Sequence, residues 1–297
     1  MNSQQRWIGF AEVIASGACF GMLGFFGKKS YQAGISPGEF LSLRFVVSAL
    51  ILGTFLAFKN PKSLRVKMKP MLHFIALGVL GYSVFASCYF YALTGLSASL
   101  TVLLLYLYPV FVTLGGRFFL NEKLGFWGDV ALPIAIVGLT GLVWGEWRVS
   151  SSVSLLLGLG SAVFYALYIL CSRVWLRNQN SYVATFYIQV AAGILLSLIH
   201  FKSVGRPIQI FNESWPLILG VAVICSLLAM TLFLSGLKKL TGAETSILST
   251  SEPITGILIA TFFLGESLRP IQIGGGALVL LSMVLVSISR PGHSKKI

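Results

Sequence analysis

Long apolar runs fill the chain, and charged or turn-forming residues interrupt them at near-regular intervals. Each run approaches the roughly 20 residues that an α-helix needs to cross a bilayer. Ten such runs lie at 7–27, 37–58, 70–93, 98–119, 125–144, 152–175, 181–201, 214–237, 242–264 and 270–289. Local signals set several starts. Ser36-Pro37-Gly38-Glu39 reads as an N-cap, a first-turn proline and a capping-box glutamate. Trp215-Pro216 opens the eighth run in a similar way. Pro109, Pro133 and Pro253 fall within runs, where neighbouring helices in a membrane satisfy the carbonyls that a proline frees. The pattern predicts an all-α membrane protein of ten transmembrane helices with no sizeable soluble domain.

The runs repeat. At a constant offset of 144, Leu93 pairs with Leu237, Leu96 with Leu240, Thr101 with Thr245 and Pro109 with Pro253. Phe118-Phe119-Leu120 pairs with Phe262-Phe263-Leu264, Glu122 with Glu266, and Leu124 with Leu268. Ala18 and Phe20 likewise meet Ala162 and Phe164. Leu and Phe matches are cheap in apolar sequence; proline and glutamate at a fixed separation are not. The repeat divides the chain into residues 1–147 and 148–297, the second ending in a short basic tail. Each half holds five spans, an odd number, so the second half enters from the opposite side. Two inverted five-helix repeats are a common plan among secondary transporters, with substrate bound near the midplane.

Composition agrees with the bilayer. Of the 297 residues, 56% are hydrophobic and 10% charged, against about 25% charged in soluble domains. The formal net charge of +13 would suggest nucleic acid in a soluble protein. Here Lys and Arg read as orientation signals. The densest basic run, Lys59 to Lys69, has no interleaved aromatics to stack on bases, so no nucleic-acid partner is expected. With both termini on one side, that side collects 15 Lys and Arg and the other collects 6, and Arg44 lies within a span. This asymmetry predicts cytoplasmic termini. The stretch from Trp7 to Phe26 contains Glu12 and exceeds a signal-peptide core, so it reads as the first span. Cys19, Cys88, Cys171 and Cys225 each sit in an apolar run without metal or redox spacing, and read as buried apolar side chains.

Few polar groups lie deep in the spans. Glu252 lies about midway along the ninth, beside Pro253. A carboxylate there is costly unless it faces a cavity or a partner. It either binds a substrate ammonium or cycles a proton, or else serves structure by staying protonated or bonding backbone freed by Pro253. Its repeat partner is Tyr108, so the acid breaks the symmetry. Arg44 reads chiefly as structural, pairing with an acid such as Glu12 or snorkelling to the interface. Glu122 and Glu266, at helix exits on opposite faces, read as loop-fixing groups, and Lys28 and Lys29 as mouth residues. Tyr82, Phe85 and Tyr89 share one helical face, and Tyr106, Tyr165 and Tyr168 lie mid-span. Mid-bilayer hydroxyls need partners. With Gln189 and Ser249, these tyrosines and Glu252 form the predicted substrate cavity, with Pro109 and Pro253 shaping its helices.

In order, the motifs resemble the EamA family of the drug/metabolite transporter superfamily over nearly the whole chain. The first half reads Tyr91-Ala92-Leu93, Ser97-Ala98, Pro109 and Asn121-Glu122-Lys123-Leu124. The second reads Gly236-Leu237, Gly242-Ala243, Glu252-Pro253 and Gly265-Glu266-Ser267-Leu268. Pro37 and Arg44-Phe45 match the family's second helix. Phe20-Gly21 stands where the family has Trp-Gly, which adds Phe20 to the cavity set. The resemblance implies a secondary transporter of small metabolites in the cell (inner) membrane, with amino acid export prominent among bacterial members. The expected partners are a small-molecule substrate, the lipid bilayer and coupling protons. Carriers of phosphorylated metabolites or nucleotide-sugars are the second reading, although they call for deep cations and only Arg44 is offered. A non-transporting scaffold is the third. An enzyme is not expected. No HExxH or P-loop occurs, His73, His200 and His293 lie near span ends or in the tail, and neither cofactor nor metal is called for.

Overall fold

A computed structural model describes residues 3–92, 94–145, 149–201, 205–264 and 269–289. Helices follow one another with short connections. α1 is Ser3–Gln32, interrupted at Met22. α2 is Pro37–Lys59 and α3 is Met68–Ala92. α4 comprises Ala98–Leu105 and Tyr108–Phe119, and α5 is Phe126–Leu142. α6 is Ser152–Trp175, α7 is Ser181–His200 and α8 is Gly205–Lys239. α9 comprises Gly242–Leu248 and Ser251–Leu264, and α10 is Pro270–Ile288. Among the described residues, nine helices are long and apolar enough to cross a membrane, and α5 is shorter. Its 17 residues span only about 25 Å at the usual helical rise.

The ends follow the sequence signals. Ser36 caps α2 in a full capping box, accepting from the Glu39 N–H while Glu39 accepts from the Ser36 N–H at 2.8 Å. α8 corrects an expected boundary. It begins at Gly205, nine residues before the apolar run, and turns non-helical at Ser214. Pro216 has no N–H to return to the preceding turn, so the apolar span restarts there. The Gly205–Glu213 stretch keeps only Ile210 buried.

The halves repeat in backbone detail. α2 and α7 begin at 37 and 181, α4 and α9 at 98 and 242, and α5 and α10 at 126 and 270. π-helical stretches begin at Leu77 in α3 and at Val221 in α8. Every one of these pairs differs by 144. The matched helices run antiparallel. The Tyr187 hydroxyl, near the start of α7, donates to the Leu64 carbonyl just beyond α2 at 2.7 Å. The Gly128 N–H at the start of α5 donates to Ser289 Oγ at the end of α10, 3.1 Å away. Packing obeys the same exchange: α1 against α8 mirrors α6 against α3, and α1 against α9 mirrors α6 against α4. At the α5–α10 crossing a Cβ on Gly275 would collide with the Leu142 backbone nitrogen. Only glycine permits so close an approach.

Exposed Leu50, Phe58, Leu80, Phe118, Leu198 and Phe262 stud the outside. On a soluble domain such a surface would aggregate; on this one it faces lipid.

Candidate functional site

Two broken helices meet at the centre. α9 stops at Leu248 and restarts at Ser251, with Pro253 in the new first turn. α4 stops at Leu105 and restarts at Tyr108-Pro109. Both prolines therefore begin helical segments instead of kinking continuous ones, because their missing N–H costs nothing in a first turn. The restart carries Glu252 into a cavity of about 520 Å³ bounded by α1, α2, α3, α4, α6 and α9. α1 crosses directly over it. A Cβ on Gly21 would lie 2.6 Å from the Glu252 carbonyl oxygen, so a glycine is needed there.

Phe20, Tyr82, Tyr89, Tyr106, Tyr165 and Glu252, all expected, line this cavity. The Tyr106 hydroxyl stands beside the Glu252 carboxyl. Rings form a continuous wall. Tyr82 meets Phe85 at 4.7 Å between centroids, Phe85 meets Tyr165 at 4.6 Å, and Tyr165 meets Tyr108 at 4.6 Å. Such edge and tilted contacts add to the area that the rings bury.

Arg44 corrects its expectation. It neither pairs with Glu12 nor snorkels; it lines the cavity at 3% exposure. Its Nη2 donates to the Tyr82 hydroxyl at 3.0 Å, its guanidinium sits 4.5 Å from the Phe45 centroid, and its Nε has no partner. Glu12 is taken instead by Lys239 Nζ at 2.6 Å and by the Ser235 hydroxyl at 2.9 Å. No ion pair joins Arg44 to Glu252 among the described residues. A fixed cation and an acid thus share one cavity unpaired.

Three expected lining residues lie elsewhere. Tyr168 stands behind the wall, stacked on Tyr165 at 6.1 Å and edge-on to Tyr82 at 5.7 Å. Gln189 faces α2, where Ser48 donates to its Oε1 at 2.7 Å. The Ser249 hydroxyl turns back to the Thr245 carbonyl at 2.9 Å, satisfying backbone at the helix break. Sequence position gave their depth but not the direction of their side chains.

The cavity reaches Lys28, Tyr31 and Phe40, where α1 ends and α2 begins. The opposite end, which carries the start of α1, is sealed. Val112, Ala166 and Ile247 are buried beyond the wall. Beneath them Glu122 accepts from Arg173 Nε at 3.2 Å and from the Gly242 N–H at 2.9 Å, and Arg173 Nη1 donates to the Lys238 carbonyl. Asn121 makes this possible. It ends α4 at φ 52°, a left-handed conformation that asparagine tolerates, and the Glu122 N–H closes on the Gly116 carbonyl. Burial pushes the Glu122 carboxyl above its ordinary range, opposed by Arg173 and the Gly242 amide. Glu122 thus joins the loop after α4 to the first residue of α9 and to α6. Glu266, Leu93 and Leu268 lie outside the described residues.

Sequence reading missed a second clasp. Arg6 Nη2 meets Glu244 at 2.7 Å and donates to the Val286 carbonyl, while Nη1 donates to the Ser287 carbonyl, both at the end of α10. Thr241-x-x-Glu244 is a capping box in the structure, and that spacing was the available signal. Among the described residues no three His, Cys, Asp or Glu side chains gather to hold a metal.

The profile of the EamA-like transporter family matches the chain twice, over residues 7–144 and 152–288. An uncharacterized transporter of Bacillus subtilis, YxxF, is 26% identical over 99% of this chain and 94% of its own length. An uncharacterized transporter of Archaeoglobus fulgidus is 26% identical over 76% of this chain and 80% of its own. The chloramphenicol-sensitive protein RarD of Pseudomonas aeruginosa is 30% identical over 61% of this chain and 58% of its own. A solved crystal structure superposes with a TM-score of 0.77 over 96% of each chain, at 18% identity, which speaks for the fold alone.

Proposed function

The chain belongs to the EamA-like transporter family, and on that premise we propose that it exports amino acids or similar amphipathic zwitterions by alternating access. One observation carries the reading: Arg44 and Glu252 line the same aromatic cavity and leave each other unpaired. The guanidinium suits a carboxylate, the carboxylate of Glu252 suits an ammonium, and the rings suit an apolar or aromatic side chain. The cavity volume of about 520 Å³ falls in the range of small-molecule sites, roughly 300–1,000 Å³. A phosphorylated solute fits less well, since Glu252 repels it from Arg44.

We place the chain in the cell (inner) membrane with both termini cytoplasmic, following the Lys and Arg asymmetry. The cavity then faces outward, in a state that releases an exported solute. Residues 1–147 and 148–297 rock against one another. Glu252 accepts an outside proton after release, and an incoming ammonium displaces that proton on the inner side. A counterflow panel in proteoliposomes tests the substrate class. Apolar and aromatic amino acids are expected to accumulate and sugar phosphates to stay out. Accumulation of sugar phosphates alone would overturn the reading.

A further inference from the structure

A second recess lies at the end of the molecule that carries Arg6, apart from the central cavity. It is a crevice of about 240 Å³ between Glu12 of α1, Ser181 of α7, and Thr231, Leu232, Ser235 and Lys238 of α8. Shifted by 144 positions, its lining falls on residues such as Pro37, Ser87, Cys88, Tyr91 and Thr94. None of these lines the central cavity, so the crevice is not the inverted image of that cavity.

The crevice holds one spare positive charge. Lys239 Nζ and the Ser235 hydroxyl take up Glu12, at 2.6 and 2.9 Å. Lys238 Nζ donates to the Gln179 carbonyl at 3.0 Å, and among the described residues it forms no ion pair. The start of α7 adds the positive end of its dipole, with Asn180 Oδ1 accepting from the Tyr182 N–H at 2.9 Å. Ser181, the first residue of α7, is 8% exposed, and its hydroxyl has no hydrogen-bond partner. A buried polar group is normally satisfied. The neighbouring Thr231 hydroxyl is turned elsewhere, donating to Thr185 Oγ1 at 3.3 Å. An orphan donor, an ammonium and a helix N-terminus around one recess suit an anion with several acceptor oxygens.

The recess is continuous with the lipid-facing surface. Leu228, Leu232, Ser235 and Lys239 follow one another at helical spacing along one face of α8. Leu228, the deepest of them in the membrane, is exposed. Ser181 opens α7 and Lys238 is the last residue but one of α8, so both stand at the depth of lipid head groups. We infer that the crevice seats the phosphate of an anionic phospholipid from the leaflet on the Arg6 face, with an acyl chain along Leu232 and Leu228. Lys238 and the Ser181 hydroxyl donate to the phosphate oxygens. The inference goes beyond the transport reading and does not rest on it.

Native mass spectrometry of the purified full chain tests it, with three probes titrated in turn. These are dioctanoyl phosphatidylglycerol, dioctanoylglycerol, which lacks the phosphate, and glycerol 3-phosphate, which lacks the chains. One phosphatidylglycerol is expected to bind about tenfold more tightly than either of the others. Lys238→Gln should weaken it about tenfold, the worth of a charge-assisted hydrogen bond. Ser181→Ala should weaken it about threefold and leave the lipid-free Tm unchanged, since that hydroxyl bonds nothing in the free protein. Ser181→Ala therefore decides the matter if Lys238→Gln fails to fold. Lys67→Gln, an exposed cation outside the crevice, should bind as the wild type does. Equal retention of phosphatidylglycerol by the wild type and the folded crevice variants would overturn the site. Equal affinity for glycerol 3-phosphate and phosphatidylglycerol would overturn the lipid and put a soluble phosphate ester in its place. No flux is measured, so either failure leaves the transport reading standing.

Discussion

Arg44 and Glu252 hold opposite charges in one cavity, and rings in place of counter-ions surround them. That arrangement suits a ligand that brings both charges, as the proposed function requires. Glu252→Gln keeps the shape and removes the anion. It is expected to lower amino acid flux about tenfold to hundredfold, the worth of a charge-assisted hydrogen bond, and to flatten the dependence of flux on pH. Arg44→Lys keeps the charge but loses the planar fork, so KM for the amino acid should rise about tenfold while an Arg44→Ala protein transports less still. Glu122 behaves differently. Burial raises its carboxyl above the ordinary range, so its stabilising contribution is present while it is protonated and is lost as pH rises through that raised value. Glu122→Gln should therefore leave Tm in detergent unchanged or slightly higher at neutral pH. Arg173→Ala strands the buried acid and should cost about 3 kcal/mol, read as a lower Tm.

At the scale of helices, α1 touches α9 so closely that Gly21 and the Glu252 backbone share one contact, whereas Gly24, one turn on, faces open space. Gly21→Ala is expected to displace α9 and abolish flux, and Gly24→Ala to retain it; flux of the two variants in proteoliposomes decides. Much of this scale was legible in sequence. Apolar run length marked the helices, and Ser36-Pro37 and Trp215-Pro216 marked starts that recur in the structure. Element breaks were not legible as such, because a proline in a run signals a kink and a restart alike. Side-chain direction was the larger loss. Gln189 and Ser249 sit at the right depth but turn toward α2 and toward their own helix. Arg44 was read as an interhelical group, and it does bond Tyr82 across to α3, but sequence did not reveal the cavity that it also lines. Phe20, Tyr82, Tyr89, Tyr106, Tyr165 and Glu252 do line the cavity, since their helices happen to turn these mid-span groups inward.

Over the whole molecule, the offset of 144 governs helix starts, π-helical stretches and packing pairs alike. On the proposed reading such an inverted repeat alternates between two conformations related by exchange of halves. The structure is open where α1 meets α2 and sealed by ionic clasps at the other end. The symmetry breaks at Glu252, whose counterpart is Tyr108, and at Arg44, whose counterpart is Ile188. On the proposed reading the scaffold alternates while these two charges, unpaired with each other, stay central. The most direct test measures amino acid counterflow and proton movement together in proteoliposomes, for the wild type and for Glu252→Gln, across a range of pH. The account predicts solute-dependent proton movement in the wild type, and loss of both solute and proton movement in the variant. Full transport by Glu252→Gln at every pH would contradict it.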